Sequence, residues 1–101
     1  MFGLFKNRKS DRIQKYLEQG ATLLDVRTSS EFNGSHVEGS INIPVQSIDQ
    51  HIEKLDKSKP VITYCALGGR SAMAAAKLKS QGFKVVSAGG INTVRKQLKK
   101  H

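Results

Sequence analysis

Cysteine is nearly absent from the 101-residue chain: Cys65 is the only one, tryptophan is missing, and there are two prolines, two tyrosines and four phenylalanines. A lone cysteine excludes an internal disulfide and a zinc cluster built on several thiolates, so the thiol is either a packed side chain or a reactive one. The three histidines, His36, His51 and His101, are scattered without ligand spacing, so neither a metal nor a cofactor is expected. No apolar run approaches the ~18 residues that a membrane span requires. A chain of this size buries a little over ~60% of its unfolded surface, enough for one modest core and no more.

Acids are few as well, 8 against 17 lysines and arginines, which gives a formal charge of +9. The excess sits at the ends. Residues 1–12 carry a net +3 and residues 95–101 a net +4, while 13–94, with nine bases and seven acids, add only +2. No stacking aromatics are interleaved with these bases and no groove-entering helix is evident, so nucleic acid is not an expected partner. A positive field does favour small anions near a site.

At the start, Phe2, Leu4 and Phe5 come before Lys6, Arg8 and Lys9, the reverse of the order in a secretory leader, and a cytoplasmic protein is expected. As an amphipathic foot on anionic membrane the segment has too little apolar surface for stable anchoring, so membrane contact is not expected. Residues 1–9 read as a flexible basic and apolar extension, and 10–101 as the domain.

Two periods alternate along that domain. Residues 11–19 have Ile13, Tyr16 and Leu17 at helical spacing behind Ser10 as a cap, with Gly20 as the stop. Residues 22–26 form a short β-rich run, and Thr28 to Glu31 matches a capping box. Asn33-Gly34 and Gly39 mark turns around His36-Val37, and Ile41 to Pro44 reads as a strand closed by proline. Ser47 to Gln50 repeats the capping-box pattern ahead of a helix 48–55, whose apolar face is Ile48, Ile52 and Leu55. Val61 to Tyr64 is the cleanest strand, followed by a loop 66–70. An Ala- and Lys-rich helix 71–81 follows, with Ala72, Ala75 and Ala76 as its sheet-packing face and Gly82 as its stop. Residues 84–87 form a last strand, 88–90 a turn, and 92–100 a helix with Val94 and Leu98 inward. Such alternation predicts an α/β fold, a short and mostly parallel sheet with helices on both faces.

The chemistry concentrates at 64–71. Ligands of open parallel sheets bind at the carboxyl ends of the strands, and Cys65 ends the most apolar strand, ahead of a helix N-terminus. Helix amides and the nearby Arg70 stabilise a thiolate there. Gly68 and Gly69 allow positive φ, so the loop is able to turn its amides inward as an anion-binding nest. A packed, inert cysteine before an ordinary glycine turn is the alternative, and the Gly-Gly-Arg-Ser that follows argues against it.

These residues resemble the single-domain rhodaneses, the thiosulfate sulfurtransferases. Cys65-Ala-Leu-Gly-Gly-Arg-Ser71 matches that family's active-loop pattern C-x-x-G-x-R-S. Leu24-Asp25-Val26-Arg27 with Glu31-Phe32 is similar to its L-[IL]-D-V-R-x-x-x-E-[FY] signature, and His36 to Pro44 to its G-H-I-x-G-A-x-N-I-P segment. The resemblance spans roughly residues 10–98 with the three motifs in order. Ser35 stands where the family usually has Gly, Ser40 where it has Ala, and no Trp follows Gly89-Gly90-Ile91.

The resemblance implies a single rhodanese-like domain and a two-step sulfur transfer. Cys65 takes the outer sulfur of thiosulfate or a related donor, sulfite leaves, and the persulfide passes to cyanide or a thiol, including a protein thiol. Amides from Ala66, Leu67, Gly68, Gly69 and Arg70 would cradle the sulfur, and the Arg70 fork suits a sulfonate-like donor. No second cysteine exists to attack the persulfide, so release needs an external acceptor. Asp25, Arg27, Glu31 and Ser71 are supporting residues, with Asp25 bonding loop amides and Arg27 pairing with Glu31. His36 is read as a structural hydrogen-bonding residue and His51 as lying on an exposed helix face. Two other readings stand beside this one. A non-catalytic persulfide carrier or protein-binding module would keep the same cysteine. A Cys-based phosphatase or arsenate reductase would need five residues between Cys and Arg to wrap a tetrahedral anion, and only four separate Cys65 from Arg70. The protein is expected to be a monomer.

Overall fold

Strand β3, Val61–Cys65, is buried at all five positions and is the element on which the rest is assembled. Its run of Val, Ile, Thr, Tyr and Cys has no polar face, as expected of a strand covered on both sides in a parallel sheet. The computed structural model describes residues 8–101. Around β3 stand β1 (Thr22–Asp25), β2 (Ile41–Asn42) and β4 (Val85–Gly90), in the order β2-β1-β3-β4 and all parallel. The short, mostly parallel sheet expected from the alternation is found, and every strand pair among the described residues is parallel. The helices are α1 (Arg8–Glu18), α2 (Ser29–Gly34), α3 (Ile48–His51), α4 (Gly69–Ser80) and α5 (Ile91–Lys100), with short 3-10 turns at Val45–Ser47 and Ile52–Lys54. Among the described residues no helix is long and apolar enough to cross a membrane.

The alternation of side chains along β3 sorts the core into two layers. Val61 and Cys65 pack with Leu24, Ile43, Ile48 and the α4 residues Ala74 and Leu78 on one face. Ile62 and Tyr64 pack with Val86, Ala88, Ile13 of α1 and Val94 of α5 on the other. Each βα crossover returns the chain to the same end of the sheet, so the ends of β1 and β3 and the starts of α4 and α5 converge there.

Several local expectations need correction. The face that α4 turns to the sheet is Ser71, Ala74 and Leu78; Ala72 and Ala76 are exposed and Ala75 is half-buried. The phase of the helix is set at its first turn, where Ser71 is pulled inward to Cys65 and to β4. Ser10 is not a cap: it lies within α1, and its hydroxyl accepts a hydrogen bond from Gln97 Nε2 at 2.8 Å. Arg8 and Lys9, expected in the extension, belong to this helix, while the Phe2, Leu4 and Phe5 segment lies outside the described residues. Ser47 makes no side-chain cap, because the chain is already turning at Val45, and the α-helix ends at His51 rather than running to 55. Its apolar face survives nonetheless, with Ile48 and Leu55 buried and Ile52 packed against them. His51 is half-buried.

The last strand does not stop at Ser87. A register shift opposite Thr63 and Tyr64 leaves Thr63 paired with Ser87 but Tyr64 with Gly89, so Ala88 is the extra residue of a bulge and β4 continues through Gly90. Read from sequence, Ala-Gly-Gly signals a turn; in the fold the glycines are there because another backbone approaches.

Candidate active site

Cys65 is held by its own loop and by the helix that follows. Gly68, with φ of 120°, turns the chain into α4, and its N–H donates to Cys65 Sγ at 2.8 Å. The Ser71 N–H donates to the same sulfur at 3.4 Å. Of the cradle expected from Ala66 to Arg70, the Gly68 and Leu67 amides act on the sulfur, joined by Ser71 just past the loop. Burial by itself pushes the thiol up, but the Ser71 hydroxyl, the Ser71 and Gly68 amides and the Leu67 amide together outweigh it, and the thiol sits below its ordinary value. That sign favours the thiolate.

The Ser71 side chain also ties the loop to the sheet. Its Oγ lies 2.9 Å from Gly68 O, 2.9 Å from Ser87 Oγ and 3.3 Å from Gly89 O. The residue is fully buried, so each of these contacts forms away from water. Thr63 Oγ1 donates to Ser71 O at 2.9 Å and anchors the same turn to β3. The loop lies close against the end of β4: a Cβ on Gly90 would sit 2.6 Å from Ala66 O, and one on Gly68 would sit 3.5 Å from Gly89 Cα.

Glu31 and Arg27 do not pair as expected. Arg27 turns back onto Asp25, with Nε at 3.0 and 3.1 Å from the two carboxylate oxygens and Nη2 at 2.7 Å, and the Arg27 N–H also donates to Asp25 Oδ1 at 2.9 Å. Both are buried, and the Asp25 hydrogen bond is the chief reason that the guanidinium holds its proton more tightly than usual. Glu31 instead accepts a fork from Arg70, at 2.6 and 3.2 Å. The spacing along one helix suggested the first pairing. The actual one spans 39 positions, a contact that no local pattern encodes.

That fork alters the part played by Arg70. Its charge faces a carboxylate before it faces the sulfur, so the stabilisation of the thiolate comes from Ser71 and the amides. Glu31 is held down to about 2 by Arg70 first and then by the Thr28 amide and hydroxyl, and the Thr28 capping box forms as expected. Leu67, at the tip of the loop, is 96% exposed.

A second network braces the neighbouring wall. Tyr64 Oη accepts from the Val37 N–H at 3.1 Å and donates to Ser40 Oγ at 2.9 Å, while Asn42 Nδ2 donates to the carbonyls of Asp25 and Arg27 at 2.9 and 3.0 Å. His36 keeps to local work: Nδ1 lies 2.8 Å from Phe32 O, and its ring stacks on Phe32 at 3.8 Å. Ser87 and Ser40 were missed from sequence because a serine in a strand or turn has no pattern of its own.

The sequence pattern of the family described as "Rhodanese-like domain" fits residues 9–97. The chain belongs to the rhodanese family. Among relatives of this rhodanese-like domain, the thiosulfate sulfurtransferase GlpE of Pseudomonas savastanoi pv. phaseolicola is 39% identical over 79 residues, which are 78% of this chain and 74% of that protein. Among solved structures, a rhodanese with anions from E. coli is 33% identical with a TM-score of 0.67, covering 72% of this chain and 89% of that one. The reduced CoADR-RHD of Bacillus anthracis is 32% identical with a TM-score of 0.72 over 90% of this chain, which amounts to 16% of that much longer one. Ser40 of this rhodanese-like domain, which stands where the family pattern has Ala, accepts the Tyr64 hydroxyl hydrogen bond.

Proposed function

We propose that this rhodanese-like domain is a thiosulfate sulfurtransferase that works through a persulfide on Cys65. The observation that carries the reading is the thiol itself: the single cysteine of the chain, buried at the end of β3, with the Gly68 and Ser71 amides on its sulfur. In the first step the Cys65 thiolate attacks the outer sulfur of thiosulfate; the S–S bond to the sulfonate breaks and sulfite leaves with the electron pair. In the second, cyanide or a thiolate attacks the outer sulfur of Cys65–S–S⁻ and restores the Cys65 thiolate. Neither step consumes a proton or an oxidant. Amide donors and a low thiol pKa are what such chemistry requires, and a general acid is not. Both nearby carboxylates are engaged by guanidinium groups, which keeps their charge off the incoming anion. Ala66, Leu67, Gly68, Gly69 and Arg70 line the approach of the donor, with Ser71 on the sulfur. Asp25, Arg27 and Glu31 hold the surrounding loops.

The names of the relatives point the same way, since the Pseudomonas protein is called a thiosulfate sulfurtransferase and the E. coli structure holds anions. A thiol that must stay reduced between turnovers suits the cytoplasm. The test is the production of thiocyanate from thiosulfate and cyanide, run beside hydrolysis of p-nitrophenyl phosphate. Thiocyanate in the wild type, none in Cys65→Ser and no phosphatase activity in either are the expected results. Thiocyanate formation that persists in Cys65→Ser overturns the assignment.

A further inference from the structure

Two helices hold most of the molecule's charge on one side. α1 carries Arg8, Lys9, Arg12 and Lys15 against Asp11 and Glu18, and α5 carries Arg95, Lys96, Lys99 and Lys100 with no acid at all, a net +6 of the chain's +9. All eight bases are exposed. Among the described residues the ion pairs Arg27–Asp25, Arg70–Glu31 and Lys77–Asp49 draw no base from α1 or α5. The two helices are locked side by side: Gln14 Nε2 donates to Gln97 O at 2.8 Å and to Gln97 Oε1 at 2.7 Å, and Gln97 Nε2 donates to Ser10 Oγ at 2.8 Å. Eight like charges fixed in this way repel one another, and a counter-charged surface relieves that repulsion.

This face begins at the rim of the active site. β4 delivers its last residues, Gly89 and Gly90, to the Cys65 loop, and α5 starts at the next residue. Lys9 Nζ lies 3.9 Å from where a Cβ on Gly89 would stand, and Gly89 is the neighbour of Gly68, whose amide donates to Cys65 Sγ. At the other side of that rim Arg95 Nη2 donates to Ser35 Oγ at 3.1 Å. Leu67, whose amide serves the sulfur, also offers an apolar side chain that is 96% exposed, a contact useful to a macromolecule.

We propose that the α1–α5 face is the docking surface for an acidic protein whose cysteine takes sulfur from the Cys65 persulfide. The inference rests on the sulfurtransferase reading and names its acceptor. In the transfer, the partner's thiolate attacks the outer sulfur of Cys65–S–S⁻; one S–S bond forms on the partner as the bond to Cys65 Sγ breaks, and the Cys65 thiolate leaves. Among the described residues an acidic protein fits better than a lipid surface, because Ile13 and Val94 are buried and Leu17 and Leu98 pack against the core, which leaves these helices little apolar surface to insert.

The test uses the full chain loaded with persulfide and two single-cysteine peptides of equal length, one rich in Asp and Glu and one with those positions changed to Ser and Gln. Persulfide arriving on each peptide is followed by mass spectrometry, and binding of each peptide, fluorescently labelled, by anisotropy. The acidic peptide is expected to receive sulfur about tenfold or more faster at low salt, with the advantage gone near ~0.5 M salt. In Arg8→Glu/Arg12→Glu/Lys96→Glu the advantage is lost while the turnover of thiosulfate to thiocyanate, measured at saturating thiosulfate where steering no longer limits the rate, stays within about twofold of wild type. The milder Arg12→Gln/Lys96→Gln, expected to lose part of the advantage, serves if the triple variant does not fold. Equal rates and equal binding for the two peptides, or an acidic preference that survives charge reversal, would falsify the proposal. So would salt-resistant co-sedimentation of the full chain with phosphatidylglycerol vesicles that the acidic peptide does not displace, since the face would then serve a membrane. Anisotropy reads the surface without sulfur chemistry, so a chain that binds the acidic peptide but never forms a persulfide refutes the sulfurtransferase reading and leaves the docking face standing.

Discussion

Ser71 donates its amide to Cys65, while its hydroxyl, which also favours the thiolate, is anchored on Gly68 and Ser87. Ser71→Ala removes the hydroxyl alone. The alkylation midpoint of the thiol with iodoacetamide is expected to move up toward the ordinary cysteine range, and sulfur transfer at neutral pH to fall roughly tenfold or more, as for loss of one preorganised donor. Arg70→Ala should shift the midpoint less than Ser71→Ala does, because Arg70 is bound to Glu31, and should act on the apparent affinity for thiosulfate. Glu31 provides the complementary reading. Its carboxyl is held at about 2, below the ordinary 4.5, chiefly by Arg70. A carboxyl depressed by folding stabilises the native state fully above its unfolded pKa and ceases to as the pH falls through the folded one. The Glu31–Arg70 fork should therefore persist through pH 4 and open only toward pH 2. A carbon-13 titration of the Glu31 carboxyl that bends near its ordinary value in wild type, and not only in Arg70→Ala, would contradict this.

At the scale of elements, the site is a junction of β3, the loop after it, the start of α4 and the bulged end of β4. Gly90 is where that junction has least room. Gly90→Ala puts a methyl group 2.6 Å from Ala66 O, a backbone atom that a side-chain rotation cannot move aside. The variant is expected to displace the loop, to lose about 1–3 kcal/mol of stability in urea denaturation and to lower sulfur transfer. Leu78→Ala, which empties a fully buried site under the sheet and far along α4 from the sulfur, should cost about 2–5 kcal/mol and leave the turnover of folded protein near wild type. Most of these elements were legible in the sequence, since β3 is a continuous apolar run, Thr28 to Glu31 a complete capping box, and Gly68-Gly69 a break before helical spacing. What was not legible is tertiary. The Ala88 bulge exists because β4 must meet the Cys65 loop, the phase of α4 is set by Ser71 reaching back to Cys65, and Ser10 is taken from capping by Gln97 on a helix far along the chain. In the site, Cys65 and its loop were legible because the residues are contiguous. The pairing of Arg70 with Glu31 and the role of Ser87 were not, because each depends on chain segments brought together only by the fold.

Across the whole molecule, a four-stranded parallel sheet places one nucleophile at its carboxyl end and a strongly positive pair of helices along one flank. The flank contributes little to folding, for isolated exposed charges are screened and weak. It contributes instead to what approaches: the rate of reaction with doubly charged thiosulfate should fall as ionic strength rises, while alkylation by neutral iodoacetamide stays nearly flat. The central claim, however, is that Cys65 becomes a persulfide, and intact-mass spectrometry addresses it most directly. After exposure to thiosulfate under anaerobic conditions the full chain should gain the mass of one sulfur atom, lose it on addition of cyanide, and gain nothing as Cys65→Ser. An unmodified wild-type chain after thiosulfate and other sulfane donors, or the same gain in Cys65→Ser, would contradict the account.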